Sequence, residues 1–296
     1  MLENLLTIDV EDWFHILDAP RSDTAKIPWD TLPSRVVANT ERILAILDNH
    51  GVTATFFVLG WVAKHHPSLI RRIAECGHDI ASHGYGHILV NRVSPSTFEA
   101  DLIRSLGTIG NAVGRAVIGY RASGFSVTPN TPWAFPILAK HGIQYDASIF
   151  PAVHAHGGFP NAPKCPFLLQ TTCGHKLYEF PASVVRLFGR SLPIGGGGYL
   201  RLLPTPVIHG AIRYLNHIGE NATIYLHPRE IDPLQPRLSG LPFHRRFKYY
   251  VNLSGTEHKL NELLSCFRFT SIQRFLEFDD YRRCIAQKRF TVDGTC

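Results

Sequence analysis

Short runs of β-branched and aromatic residues alternate with helix-period apolar patterns along almost the whole chain, and this alternation limits the fold more than any other feature. Residues 5–8, 52–59, 79–82, 116–120, 143–145, 177–180, 222–226 and 267–271 read as strands. Between them, Val36, Val37, Ile43, Leu44 and Leu47 recur at helical spacing before a stop at Gly51. Pro67 opens a helix through Ile70 and Ile73, and Ser94-Pro95 caps one whose face is Phe98, Leu102, Leu106, Ile109 and Val113. Residues 133–140, a Thr205-Pro206 start through Ile208, Ile212 and Leu215, and residues 260–264 supply the later helices. About seven βα units in a row predict an α/β fold, a distorted (β/α)7-type barrel in a single domain, rather than an open doubly wound sheet. No GxGxxG follows a strand, and Gly195-Gly196-Gly197-Gly198 lacks the Lys-Ser/Thr ending of a phosphate loop, so those glycines read as a close-approach loop lining a cleft. The domain is expected to span residues 1–276. An irregular segment is expected at 151–173, and a polar, basic, poorly ordered tail at 277–296.

At 45% hydrophobic and 18% charged residues in 296, wholesale disorder is excluded. The longest apolar-rich run, residues 52–63, is broken by threonines and too short to span a bilayer. No charged region leads into an apolar one at the start, and the six cysteines show no CxxC spacing. These features predict reduced thiols and a cytoplasmic location. A net charge of +6 favours anionic partners. The cluster His244-Arg245-Arg246-Phe247-Lys248 carries no nucleic-acid motif, so no nucleic-acid partner is expected, whereas peripheral contact with a membrane fits the charge.

Parallel barrel strands end on one face, and active sites gather there. The residues just past each predicted strand are chemically loaded. The first strand delivers Asp9, Glu11 and Asp12, the third His83 and His87, the fourth Arg121, the fifth Asp146 and a late one His227. Three crowded carboxylates at the end of a buried strand repel one another and call for a cation, most simply a divalent metal. Two histidines four apart can chelate one ion, although with sixteen histidines chance supplies about one such pair.

In order as well as type, these motifs resemble the polysaccharide deacetylase family, which shares the NodB homology domain, and in particular its members from exopolysaccharide loci. Thr7-Ile8-Asp9-Val10-Glu11-Asp12-Trp13 matches the strand-end acid motif, His83–His87 the metal motif, Gly119-Tyr120-Arg121 the arginine motif, Tyr145-Asp146-Ala147-Ser148 the aspartate motif and Leu226-His227-Pro228 the late histidine motif. The resemblance implies a metal-dependent hydrolase, most simply zinc-dependent, that removes N-acetyl groups from sugars of a polysaccharide or lipid-linked oligosaccharide. It implies Asp9 as the base and His227 as the acid. Arg121 would pair with Asp9, and Asp146 would orient His227 or complete the polar network. His83, His87 and one of Glu11 and Asp12 would hold the ion, with Asp12 favoured. The chain departs from the commoner family pattern at three places. Its acids are spread over Asp9, Glu11 and Asp12 rather than adjacent, Gly84 replaces a Ser/Thr, and Arg229 stands where a tryptophan is common. An amidase acting on a small amide or ureide, and a glycan-binding protein without turnover, are the alternatives.

Overall fold

The computed structural model describes residues 2–17, 28–187, 190–238 and 240–293. Its strands are β1 (Asn4–Val10), β2 (Thr55–Val58), β3 (Asp79–Ser82), β4 (Gly119–Tyr120), β5 (Tyr145–Asp146), β6 (Phe167–Thr171), β7 (Lys176–Glu179), β8 (Val184–Leu187), β9 (Arg190–Pro193), β10 (Thr223–Leu226), β11 (Phe269–Thr270) and β12 (Arg289–Val292). The main sheet runs β10-β1-β2-β3-β4-β5-β7-β6-β12, and β11 adds to the start of β1. From β10 through β7 every pairing is parallel, which gives a seven-stranded parallel wall.

The two faces of β1 show how the wall is packed. Leu6, Ile8 and Val10 join Phe56, Val58, Ile80, Ile224 and Leu226 in the layer beneath the helices. Leu5 points the other way, into an interior cluster with Phe57, Ala81, Tyr145 and Phe180. Successive side chains of a strand alternate faces, so Thr7 and Asp9 follow Leu5 inward. Ile272 and Phe275 of the helix Ile272–Glu277 plug the end of this interior beside the strand starts, leaving its other end for the site. The gap between β7 and β10 is crossed by residues 181–187 and 190–196, which carry the paired β8 and β9. Ala182 N–H donates to Ile149 O, and Thr223 N–H to Ser183 Oγ. Gly196 pairs with Tyr225 so closely that a Cβ there would lie 1.9 Å from Tyr225 O. The barrel is therefore closed by a strap rather than by a strand ladder.

The expected helices form, and the capping chemistry explains their starts. Ser94 Oγ accepts from Thr97 N–H, Pro95 occupies the first turn, and Gly114 ends the helix Pro95–Val113 at φ +70°. Three expectations need correction. The irregular segment contains β6, antiparallel to β7. The predicted loose tail is ordered through residue 293: the helix Asp279–Gln287 buries Ile285 against the interior plug, and β12 pairs with β6 and packs Phe290 on Phe159 and Phe167. Cys173 is disulfide-bonded, so the reduced-thiol reading fails there; Cys76, Cys165, Cys266 and Cys284 are free, and Cys296 lies outside the described residues.

Candidate active site and metal centre

The three opening acids go to three different places. Asp9 is the last inward residue of β1, and Arg121, just past β4, donates from Nη1 to Asp9 Oδ1 at 2.6 Å and to Thr7 Oγ1 at 2.9 Å. The guanidinium lies 4.1 Å from the Phe57 ring centroid, and its Nε donates to Ala147 O. Glu11 lies just past β1, where its N–H turns back to Asp9 O, and places Oε1 at 3.0 Å from His83 Nε2 and 2.9 Å from His87 Nε2. Asp12 turns to the start of the first helix. Its carboxylate accepts from Trp13 N–H, Ser34 Oγ, Arg35 N–H and Val36 N–H, fastening the start of the helix Val36–Asn49. The preference for Asp12 as the ligand does not survive this geometry. The structure brings Glu11 to the histidines and spends Asp12 on backbone amides.

The histidine loop is held from below. Asp101, on the helix Pro95–Val113, accepts from Tyr85 N–H at 2.7 Å and Gly86 N–H at 2.9 Å. Gly84 adopts φ +75°, and a Cβ there would meet Asp101 Oδ2 at 2.9 Å. A serine or threonine at 84 would therefore push on the carboxylate that steadies this loop. His87 itself takes φ +51°, a left-handed conformation uncommon for a side-chain-bearing residue and typical of constrained functional loops.

His227 follows β10 and faces the same cleft, with Nε2 at 3.8 Å from Asp9 Oδ2 and 3.9 Å from Glu11 Oε1. Its Nδ1 lies 3.2 Å from Glu230 Oε2, and Arg201 Nε donates to Glu230 Oε1 at 2.8 Å. Burial alone would raise the Glu230 pKa, but Arg201 and His227 outweigh it and hold the carboxyl well below the ordinary range. Burial likewise opposes a charged His227, yet the carboxylates of Glu11, Glu230 and Asp9 lift its pKa above the usual imidazole value. A histidine biased towards its protonated form, with Nε2 aimed at the cleft, is equipped to give up a proton there.

Asp146 does not reach His227. It accepts from Ser148 Oγ at 2.6 Å, and Ser148 Oγ in turn accepts from Ala122 N–H, so Asp146 braces the backbone that carries Arg121. Of the two roles expected for it, the structure supports the polar network. Glu179 sits opposite it in the β5–β7 register; burial pushes both carboxyls upward, and mutual repulsion adds to the rise at Glu179. Sequence reading missed Glu230, Asp101 and Glu179. Only Glu230 left a local signal, a carboxylate three residues after a capping position that reaches back to His227 N–H. His154 and His156 line the cleft, as do Phe125 and Tyr225.

A divalent ion fits Glu11, His83 and His87. Their ligand atoms all lie within 4.8 Å of one another, and all three side chains are buried. His83 Nδ1 lies 2.9 Å from Arg121 O, and a carbonyl can only accept, so this nitrogen carries the proton. In the neutral ring Nε2 then turns a lone pair towards the Glu11 carboxylate, an arrangement that suits a shared cation. Nε2 of His87 is buried with no hydrogen-bond partner among the described residues despite its nearness to Glu11, as an unfilled ligand position would be.

Residues 18–146 match the polysaccharide deacetylase family model, and residues 147–277 match a domain of unknown function, DUF3473. The junction falls inside the barrel, where β5 pairs with β7, and the second segment contributes Arg201, His227 and Glu230. Over 100 residues the chain is 29% identical to a chitooligosaccharide deacetylase of Bradyrhizobium sp. (strain ANU 289), covering 34% of this chain and 43% of that protein. Over 77 residues it is 35% identical to a peptidoglycan-N-acetylglucosamine deacetylase of Bacillus cereus, covering 26% and 28%. The chain thus spans less than half the length of these curated relatives. A candidate polysaccharide deacetylase from Mycobacterium smegmatis superposes with a TM-score of 0.63 at 22% identity, over 99% of this chain and 94% of that one. PuuE allantoinase superposes with a TM-score of 0.58 at 15% identity, over 94% and 88%. Both superpositions speak to the barrel alone. Residues 18–146 are thus similar to the polysaccharide deacetylase family, and the ordered motifs within and on either side of that segment gather at one end of the barrel.

Proposed function

We propose that this protein is a metal-dependent hydrolase that removes N-acetyl groups from amino sugars of a polysaccharide or lipid-linked glycan precursor. The observation that carries this reading is convergence. One cleft holds the Glu11–His83–His87 cluster, the Asp9–Arg121 pair and the His227–Glu230–Arg201 chain. Two imidazoles and a carboxylate suit zinc and leave room for substrate and water. When bound there, such an ion supplies a positive charge that polarises the acetamide carbonyl and acidifies water.

The chain's own residues do the proton work. Arg121 holds Asp9 Oδ1, which leaves Oδ2 to face the cleft and take the proton of the attacking water. His227 stands across from it and delivers a proton to the departing amine, without which an amide nitrogen is a very poor leaving group. Glu230 fixes the His227 ring through Nδ1, so Nε2 is the atom that donates. Phe125 and Tyr225 form the nearby apolar wall of the cleft.

Acetate release from a panel of N-acetylated oligosaccharides tests the reading, with allantoin as a small-ureide control. We expect acetate from at least one glycan and no turnover of allantoin. Turnover of the ureide alone would move the activity to small amides, and no acetate from any glycan by the metal-loaded protein would count against deacetylation.

A further inference from the structure

The Proposed function accounts for the cations at Arg121 and Arg201, each of which has a carboxylate partner. A third arginine lines the cleft, and its charge acts on Glu230 without a direct ion pair among the described residues. Arg229 follows His227 by two residues, lines the same cleft and is 6% exposed. Its Nη1 is buried with no hydrogen-bond partner, and Arg229 forms no ion pair among the described residues. The contact its guanidinium does make is with the Tyr249 ring, whose centroid lies 5.2 Å from Cζ.

The nearby carboxylates are already committed. Glu230 gives Oε1 to Arg201 and Oε2 to His227. Asp232 is held by Arg35 and Asn39. Asp9 is held by Arg121, and Glu11 faces the two metal-site histidines. A desolvated guanidinium with open donors is costly, and an aromatic face compensates it only in part. A planar fork of N–H donors matches a carboxylate or a phosphate, and a ligand anion is the partner this position lacks. The side chain lines the same cleft as His227, where it can register a substrate by an anionic group near the reacting acetamide.

We propose that Arg229 forms an anion subsite in the active-site cleft and that the natural substrate is an N-acetylated glycan bearing a carboxylate or phosphate close to the acetamido sugar. This rests on the deacetylase reading for the sugar but not for the anion. A neutral chitooligosaccharide fills the cleft without meeting Arg229's need. A uronate-containing chain or a sugar phosphate satisfies it.

The test compares binding of three probes to zinc-loaded protein by calorimetry: a neutral chitooligosaccharide, a hyaluronan oligosaccharide carrying glucuronate, and N-acetylglucosamine 1-phosphate. Each is measured with wild type, Arg229→Met and Arg229→Lys. We expect wild type to bind at least one anionic probe about tenfold or more tightly than the neutral one, Arg229→Met to lose that preference, and Arg229→Lys to recover part of it. Whichever anionic probe shows the preference identifies carboxylate or phosphate as the group recognised. Equal affinity for neutral and anionic probes in wild type overturns the subsite. So does a preference that survives in Arg229→Met, because the metal centre would then be the anion's partner. Loss of acetate release with the anionic preference intact would instead sink the deacetylase reading and leave the subsite standing.

Discussion

Replacing Glu11 by alanine empties the metal site, whereas replacing Asp12 by asparagine leaves it filled and weakens the fold. Among the described residues, Glu11 Oε1 is the one carboxylate oxygen within 3.0 Å of both His83 Nε2 and His87 Nε2. Without it two imidazoles remain, too few for a structural or catalytic zinc site. Retained metal should fall to background, and acetate release should drop by about a hundredfold or more. Asp12 is 1% exposed and accepts from three backbone amides and a hydroxyl around the start of the helix Val36–Asn49. An asparagine amide turns donors towards some of those donors, at a cost of about 1–3 kcal/mol. Metal content by plasma mass spectrometry and stability by urea unfolding separate the two variants. Metal lost from Asp12→Asn but kept by Glu11→Ala would reverse the assignment.

Arg121→Met is expected to be the most destabilising single change in the site. Arg121 and Asp9 have side-chain exposures of 1% and 3%, and the guanidinium also binds Thr7 Oγ1 and Ala147 O. Removing it strands the Asp9 carboxylate in the barrel interior, which costs about 3–5 kcal/mol. Methionine keeps much of the volume packed on Phe57, so the loss reports the charge more than a cavity. The double variant Asp9→Asn/Arg121→Met has no stranded charge and should recover most of that stability while remaining inactive. Urea unfolding of the four-member cycle reads the coupling directly. A double variant no more stable than Arg121→Met would mean that Arg121 supports the fold through its other bonds rather than through Asp9.

The strand-end chemistry was legible because parallel barrel strands bring their ends together, and so Asp9, His83, His87, Arg121 and His227 could be named from the chain alone. The choice between Glu11 and Asp12 was not legible: both follow the end of β1, where the Glu11 N–H turns back to Asp9 O and strand alternation no longer applies. Other features leave no local trace. Asp101 holds the histidine loop from a helix far along the chain, and Arg201 reaches Glu230 across 29 residues. β12 is a polar, alternating edge strand whose apolar residues Phe290 and Val292 gain meaning only against β6. The DUF3473 segment shows the same limit at larger scale. By itself it is a stretch of strands and helices, but folded it closes the barrel and brings His227, Glu230 and Arg201 to the cleft.

A zinc titration of chelator-stripped protein, with zinc bound and acetate released measured on the same samples, tests the central claim most directly. Acetate release from an N-acetylated oligosaccharide should be absent without metal, rise in proportion to bound zinc and level off at about one equivalent. Release that is already full before zinc is added, or none at full occupancy on any glycan tried, would contradict a Glu11–His83–His87 centre acting with Asp9 and His227.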